Sequence, residues 1–474
     1  MSNSAGQIGQ LGPSILQNVT FDELAVGASA RLQRQLHAED IALFAALSGD
    51  LNPTHLDHEY ARSTPEHEVI AHGMWGAALI SAVLGTRLPG PGTVYLGQTL
   101  EFIKPVRVGD VLTVTVRCTG KEAGRRVVLA CECANQSGEI VIRGDAIVRA
   151  PREKVRRPVV ALPTVTVADR HSRLQRLVAK AAGLPPRATA VVHPCDVASL
   201  QGALLAQAAG LIDPLLVGPA HRIRAVADAH QISLQGVRMQ DAPHSHAAAE
   251  QAVELARRGE VVALMKGSLH TDELLGAVLR ASGGLRTERR LSHVFWLDVP
   301  GHVRPLLVTD AAVNIEPTLE DKADIVRNAI ALAHALGVVR PRVALLAAVE
   351  TINPRMRATL DAAALCKMNE RGQIRGGQLD GPLAFDNAIS AVAAKIKGIR
   401  SDVAGAADVL MVPDLEAGNM LAKQLEYLGH ALSAGIAMGA KVPIMLTSRA
   451  DPADSRIASC ALASLWLAHQ ASGL

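Results

Sequence analysis

Residues 48–57, SGDLNPTHLD, and the stretch IAHGMWGAALIS at 70–81 decide how the first part of this chain folds. The first closes a helix with Ser48 and Gly49 and makes an Asn-Pro turn that carries Asp50, Asn52 and His55. Asp, Asn and Pro are ordinary turn residues, so a solvated loop competes with any functional reading. The functional reading is a carboxylate and an imidazole at fixed separation, moving protons on and off a water molecule. The second stretch is apolar nearly all round and rich in Ala and Gly, as suits a helix that is wrapped and buried. Upstream, HAEDIALFAALSG places Ile41, Phe44 and Leu47 at helical spacing and stops at Gly49. Downstream come alternating runs at 99–118, 125–136 and 138–150, with NQSGE as a hairpin turn between two of them. One central helix followed by antiparallel strands makes an α+β layer.

The bulk composition sets limits on function. A chain of 474 residues is too long for one core and implies two or three domains. The formal net charge is +3 with 20% charged residues, so the overall balance points to neither nucleic acid nor an anionic membrane. Aromatic residues are only 2%, which argues against base-stacking platforms. Cys118, Cys131, Cys133, Cys195, Cys366 and Cys460 have neither zinc-site spacing nor the look of a disulfide framework. The opening MSNSAGQIGQLGPSILQN has no basic stretch leading into an apolar core, so a secretory signal is not expected. No apolar run reaches the roughly 18 residues of a membrane span. The expectation is a cytoplasmic enzyme with no metal site and no required cofactor.

Composition changes at APREKVRRPVVALPTVTV, where prolines and basic residues limit both helix and ladder formation and suggest a linker. After it, short apolar strands alternate with Ala/Leu-rich helices, the pattern of a mostly parallel, helix-covered α/β sheet. The strands are read at TAVVH, DPLLVG, VVALMKG, HVFWLDV, PLLVTD, VALLAAVE, ADVLMVP and VPIMLTS. In such folds ligands sit beyond the carboxyl ends of strands. Lys266, Glu350, Asp414, Ser448 and Arg449 follow such ends. No P-loop and no strand–GxGxxG–helix fingerprint accompanies them.

The coupled D-x-N-P-x-H turn and A-H-G-M helix start resemble the MaoC-like hot-dog family, the R-specific enoyl-CoA hydratases, over roughly residues 20 to 150. The resemblance implies a sheet wrapped round the long helix, with Asp50 and His55 activating a water that adds to a 2-enoyl thioester. It also matches Ser81 to a position near that family's active site. Such hydration needs a base, an acid and donors for the developing enolate oxygen. Asp50 and His55 suit the first two tasks. The Gly73 N–H at the helix start suits the third, with the dipole assisting. Asn52 is expected to orient the pair or the water, and His72 is either a substrate-side residue or a structural histidine.

The segments ALLAAVETINPRM, GGQLDGPLAFDNAIS, ADVLMVPDLEAGNMLAKQL and VPIMLTSRADPADSR resemble, in that order, the phosphate acetyltransferase and phosphate butyryltransferase family. The resemblance covers about 170 to 474. It implies a two-lobed α/β fold, like that of isocitrate and isopropylmalate dehydrogenases, with transfer of an acyl group between coenzyme A and phosphate. A guanidinium fork matches phosphate bidentately, which favours Arg449, and Ser448 adds a hydroxyl donor. The base for the thiol is expected at Asp454 or Asp451. Asp380, Asp386, Asp414 and Asn419 are expected as cleft residues; the run GLRTERRLSH is either a further phosphate contact through Arg286 or Arg290 or a solvated basic face.

The expected organisation is a flexible N-terminus (1–18), a hot-dog domain (19–150), a linker (151–169) and a phosphate acyltransferase domain (170–474). The partners are coenzyme A, its thioesters and inorganic or acyl phosphate, with no nucleic acid or membrane. A lone hot-dog layer leaves a sheet edge unpaired, so a homo-oligomer is expected. The rival is a hot-dog domain that only binds thioesters or dimerises, beside an active transferase.

Overall fold

The computed structural model describes residues 15–160, 165, 172–447 and 451–472. The chain divides into two compact units, Met1–Val167 and Ala168–Leu474.

In the first unit, strands Ser29–Gln35, Val111–Glu122, Arg126–Ala134, Ile140–Arg149 and Val94–Gln98 pair in that order, all antiparallel. The two-residue strand Glu101–Phe102 also pairs with Ile140–Arg149. Period-2 alternation sends Leu112, Val114, Val116 and Cys118 to one buried face. Onto that face the helix Gly73–Thr86 packs Ile80, Val83 and Leu84. The approach is close: a Cβ on Gly76 would lie 2.3 Å from Ile142 Cδ1, so any larger residue there would have to push that side chain aside. Cys131 and Cys133 share this buried face, and burial pushes their thiols up to about 11 and about 12.

Two segments expected to lack structure are ordered. Ile15–Gln17, from the expected flexible N-terminus, pairs antiparallel with Arg156–Pro158, from the expected linker. Asn18 locks the pair: its Nδ2 donates to Glu153 O (2.8 Å) and its Oδ1 accepts from Val155 N (2.9 Å). Three-residue strands carry too little pattern to read, and each has its partner at the far end of the unit.

The second unit is built on one 11-stranded sheet. Its first five strands in spatial order are Arg238–Asp241, Ile212–Gly218, Arg187–Val192, Ala263–Lys266 and Ile444–Met445, all parallel. Leu432–Met438 and Ser292–Asp298 follow, joined to each other and to both flanks by antiparallel pairing. The last four, Leu306–Thr309, Val409–Met411, Arg342–Leu346 and Gln378–Leu383, are parallel again. The antiparallel pair reverses the sheet's sense. The carboxyl ends of the two parallel blocks therefore lie on opposite rims, and the strand-end residues of the sequence do not converge on one rim. Three strands went unread in the sequence: Arg238–Asp241, Gln378–Leu383 and Leu432–Met438. Helices cover both faces, and no helix among the described residues is long and apolar enough to cross a membrane.

His293 lies fully inside this sheet, and its Nδ1 meets no hydrogen-bond partner among the described residues. Burial pushes its imidazole down from 6.5 to about 4, countered only in part by the Leu446 main chain. Between those values the unfolded chain binds a proton that the folded chain refuses. Stability present above pH 6.5 is thus lost as pH falls toward 4, by at most about 3 kcal/mol. We expect the thermal midpoint of the second unit to fall less steeply between pH 7 and 4.5 in His293→Leu than in wild type. Parallel pH profiles would exclude His293 as the acid-sensitive group.

Candidate active sites

In the first unit the turn is built by its own polar groups. Ser48 Oγ donates to Phe44 O (2.7 Å) and accepts from Asp50 N (3.2 Å). Asp50 Oδ1 accepts from Asn52 N (3.2 Å), and Asn52 Oδ1 caps the single helical turn Pro53–Leu56 through Thr54 N (3.2 Å). Asn52 therefore fixes the Asp50 carboxylate through its main chain, while its side chain shapes the turn that carries His55.

His55 Nδ1 lies 2.9 Å from Ile70 O, and His72 Nε2 lies 3.1 Å from Asp50 O. A carbonyl oxygen only accepts, so each of those ring nitrogens carries the hydrogen. That leaves a lone pair on His55 Nε2 and another on His72 Nδ1. The second is buried and has no partner among the described residues. The two rings stack with centroids 4.0 Å apart, and Phe44 packs against His72 at 5.1 Å. One ligand-type atom each from Asp50, His55 and His72 falls within 4.8 Å of the others.

His55, His72, Gly73, Gly76, Phe102 and Lys104 are among the residues lining a cavity of about 300 Å³ beside this cluster. Gly73 opens the helix, whose first N–H groups lack intrahelical acceptors and face the positive end of the dipole. His55, His72 and the helix N-terminus at Gly73 line the cavity, and the exposed Asp50 carboxylate clusters with the two rings. Ser81 does not join it. It sits on the exposed side of the helix, away from the cavity lining.

In the second unit, Ser448 and Arg449 lie outside the described residues. What flanks them is well defined. Arg456, from the helix Ala453–Ala471, is only 2% exposed and donates from Nη1 to Thr447 Oγ1 (2.8 Å). It thus ties the strand end to the helix on either side of residues 448–450. Burial lowers its pKa against the opposing fields of Asp196, Asp451 and Cys460. A Cβ on Gly202 would lie 2.3 Å from Arg456 Cδ, so a neighbouring helix must offer glycine there. Asp454 occupies the first turn of the last helix, and Asp451 is buried just before it. Burial works against the Lys423 ammonium, but Glu426, Asp451 and Tyr427 outweigh it and raise its pKa. On the same rim His193 Nδ1 lies 3.2 Å from Ser268 Oγ, which also accepts from Cys195 N (3.1 Å). Buried Lys266 ends the adjoining strand.

The remaining expected cleft residues do not gather there. Asp414 caps the helix Leu415–Tyr427 by accepting from Ala417 N (2.9 Å), and Asn419 donates to Ala311 O (3.2 Å). Asp386 is exposed and shares Lys397 with Glu350. Asp380 lies within its strand and accepts from Gly381 N (2.8 Å). Glu350, Asp386 and Asp414 follow strands of the second parallel block, so they sit on the rim opposite Thr447.

That opposite rim carries a polar centre missed in the sequence. Asp310, 2% exposed, accepts from Ala312 N (3.0 Å), Val313 N (3.1 Å), Asn314 N (3.1 Å) and Asn314 Nδ2 (2.6 Å). Burial pushes its carboxyl up while these donors pull it down, and the net is above the ordinary value. Asn314 Oδ1 in turn accepts from Arg290 Nε (2.7 Å). Of the two arginines considered in that stretch, Arg290 is thus the one with a fixed orientation. Three buried polar residues after an apolar strand (TDAAVN) were the available signal.

Comparison with known proteins gives two family matches, "MaoC like domain" over residues 24–133 and "Phosphate acetyl/butaryl transferase" over 245–464. A phosphate acetyltransferase of Rhizobium meliloti is 58% identical over 299 residues, covering 63% of this chain and 95% of that protein. An unliganded R-hydratase from Pseudomonas aeruginosa is 46% identical, covering 32% of this chain and 99% of its own, with a TM-score of 0.32. A branched-chain phosphotransacylase from Enterococcus faecalis is 29% identical, covering 59% of this chain and 99% of its own, with a TM-score of 0.52.

Proposed function

Because the chain belongs to the phosphate acetyl/butyryl transferase family and carries a MaoC-like domain ahead of that region, we propose that it is a two-activity enzyme of coenzyme A thioesters. The first unit hydrates a trans-2-enoyl-CoA to an (R)-3-hydroxyacyl-CoA. The second transfers an acyl group reversibly between coenzyme A and phosphate.

The observation that carries the first activity is the gathering of the Asp50 carboxylate with the His55 and His72 rings, one ligand-type atom of each lying within 4.8 Å of the others. In hydration, Asp50 and His55 hold the water. One takes its proton as the oxygen attacks the β-carbon, and the other delivers a proton to the α-carbon. The Gly73 N–H receives the enolate oxygen that forms between those steps. His72, pinned to Asp50 O, holds the turn against the helix.

In transfer, phosphate oxygen attacks the thioester carbonyl directly and the thiolate of coenzyme A leaves, so no enzyme-bound acyl group is needed. Arg449 and Ser448 are assigned to the phosphate, and Asp454 or Asp451 to the proton of the thiol in the reverse direction. Asp451 acts on Lys423, whose pKa it helps to raise, and stands as the second candidate beside Asp454. On fold, the reading extends to the two-lobed plan of isocitrate and isopropylmalate dehydrogenases, supported by the reversal of strand direction at the sheet's centre. Self-association is proposed through the edge strand Val94–Gln98, whose Val94, Tyr95 and Leu96 are exposed.

The direct test is the full chain assayed with crotonyl-CoA for hydration, and with butyryl-CoA and phosphate for acyl phosphate formation. Arg449→Lys keeps the charge and loses the bidentate fork. We expect its KM for phosphate to rise about 10-fold or more, a loss on the order of the charge-assisted bonds removed. An unchanged KM for phosphate would remove Arg449 from the site.

A further inference from the structure

A second cavity, of about 290 Å³, lies in the transferase unit between the helix Ser172–Ala182, the hairpin of strands Ser292–Asp298 and Leu306–Thr309, and the end of the helix Leu319–Ala335. Leu177, Trp296, Leu307 and Ala333 form an apolar floor, all of them buried. Arg173, Arg176, Lys180 and Arg304 stand around it. The helix makes this possible by spacing: Arg173, Arg176 and Lys180 fall at i, i+3 and i+7, one stripe over from buried Leu174, Leu177 and Ala181.

The charges here do not cancel. Arg173 is taken by Asp298 (2.6 Å) and by His302 O (2.7 Å). Arg304 is taken by Asp408 (2.9 Å), which also binds Arg342 (3.0 Å). Both carboxylates are thereby used. Lys180 reaches only Leu336 O at 3.4 Å, and Arg176 has no hydrogen-bond or ion-pair partner among the described residues. His302 senses the surplus: its pKa is lowered by burial first, then by the Arg304 and Arg173 guanidinium groups.

We propose that this cavity is a binding site for a short-chain acyl anion, its tail on the Leu177–Trp296–Leu307–Ala333 floor and its anionic head between Arg176 and Lys180. A concave apolar pocket with a few convergent charges is the usual form of a small-ligand site, and this volume is at the small end of that range, about 300 Å³ upward. A cation would meet unmatched positive charge, and a neutral chain would gain nothing from Arg176 and Lys180. None of the named lining residues belongs to the 447–456 segment assigned to catalysis, and the site is proposed as additional to the one above, which the competition experiment below decides. A free carboxylate and an acyl phosphate share the required chemistry.

Trp296 in the floor reports occupancy. The full chain is titrated with hexanoate while tryptophan emission and heat are followed, with 1-hexanol and hexylamine as neutral and cationic counterparts. Butyrate and butyryl phosphate are compared to separate the two sources of the anion. The expected result is saturable hexanoate binding, no binding of the alcohol or amine, and an emission change that disappears in Trp296→Phe. In Arg176→Glu, an exposed substitution, binding should weaken at least 10-fold while butyryl transfer without added anion is unchanged. Equal affinity in Arg176→Glu overturns the proposal. So does loss of hexanoate binding in the presence of saturating coenzyme A and phosphate, which would place the anion in the catalytic site.

Discussion

Replacing Asp50 by Asn is expected to lower crotonyl-CoA hydration by about 100-fold or more and to leave butyryl transfer within about twofold of wild type. The amide keeps the shape of the carboxylate, and its oxygen can still accept from Asn52 N, so the turn should hold. Asp50 is exposed, and no buried partner is orphaned by the change. What disappears is the charge that accepts a proton from water. The hydration assay therefore separates chemistry from folding, and an unchanged thermal midpoint is part of the expected result. Hydration within a few-fold of wild type would show the turn to be non-catalytic. The hot-dog unit would then stand as a thioester-binding or dimerisation module beside the transferase.

The largest stability effect should come from Asp310→Ala. Removing this carboxylate strips acceptors from three main-chain N–H groups and from the Asn314 amide inside a site that is 2% exposed. Each donor so orphaned costs about 1–3 kcal/mol, with partial relaxation among neighbours. We expect the unfolding free energy of the second unit to fall by roughly 3–5 kcal/mol. Asp310→Asn, which keeps one acceptor oxygen, should lose less. Because Asn314 orients Arg290, butyryl transfer should weaken even in the folded fraction if Arg290 meets the substrate. Hydration of crotonyl-CoA, carried by the other unit, is the internal control. A loss below about 1 kcal/mol would mean that the loop rearranges to satisfy its own donors.

The parts legible in the sequence are those whose meaning is local. The turn from Ser48 to His55 is closed by bonds spanning two to four residues, so its residue types are enough to read it. The buried helix at Gly73 shows in its nearly all-round apolar sequence, with Gly73 and Gly76 where side chains of the sheet come closest. Illegible parts depend on distant pairing. Nothing in HVFWLDV distinguishes a strand that runs against its neighbours from one that runs with them. Its direction is set by Leu432–Met438, far along the chain. Together with the antiparallel pairings on either side of these two strands, that reversal separates Asp414 and Glu350 from the strand end at Thr447. Arg456 is hidden for a related reason: a charge in an apolar helix reads as surface until a distant glycine and Thr447 are seen to receive it.

The short ladder between Ile15–Gln17 and Arg156–Pro158, clamped by Asn18, brings the first and last described strands of the first unit side by side. A body whose ends meet behaves as a cassette: it can be spliced into a loop of another protein without stretching that loop open. The same geometry permits circular permutation. New termini opened at the NQSGE hairpin, with a short bridge between the old ends, should keep every strand pairing of the main sheet. Under tension applied through residues 15 and 158, this ladder would unzip first, one residue pair at a time, and act as a sacrificial latch for the body behind it.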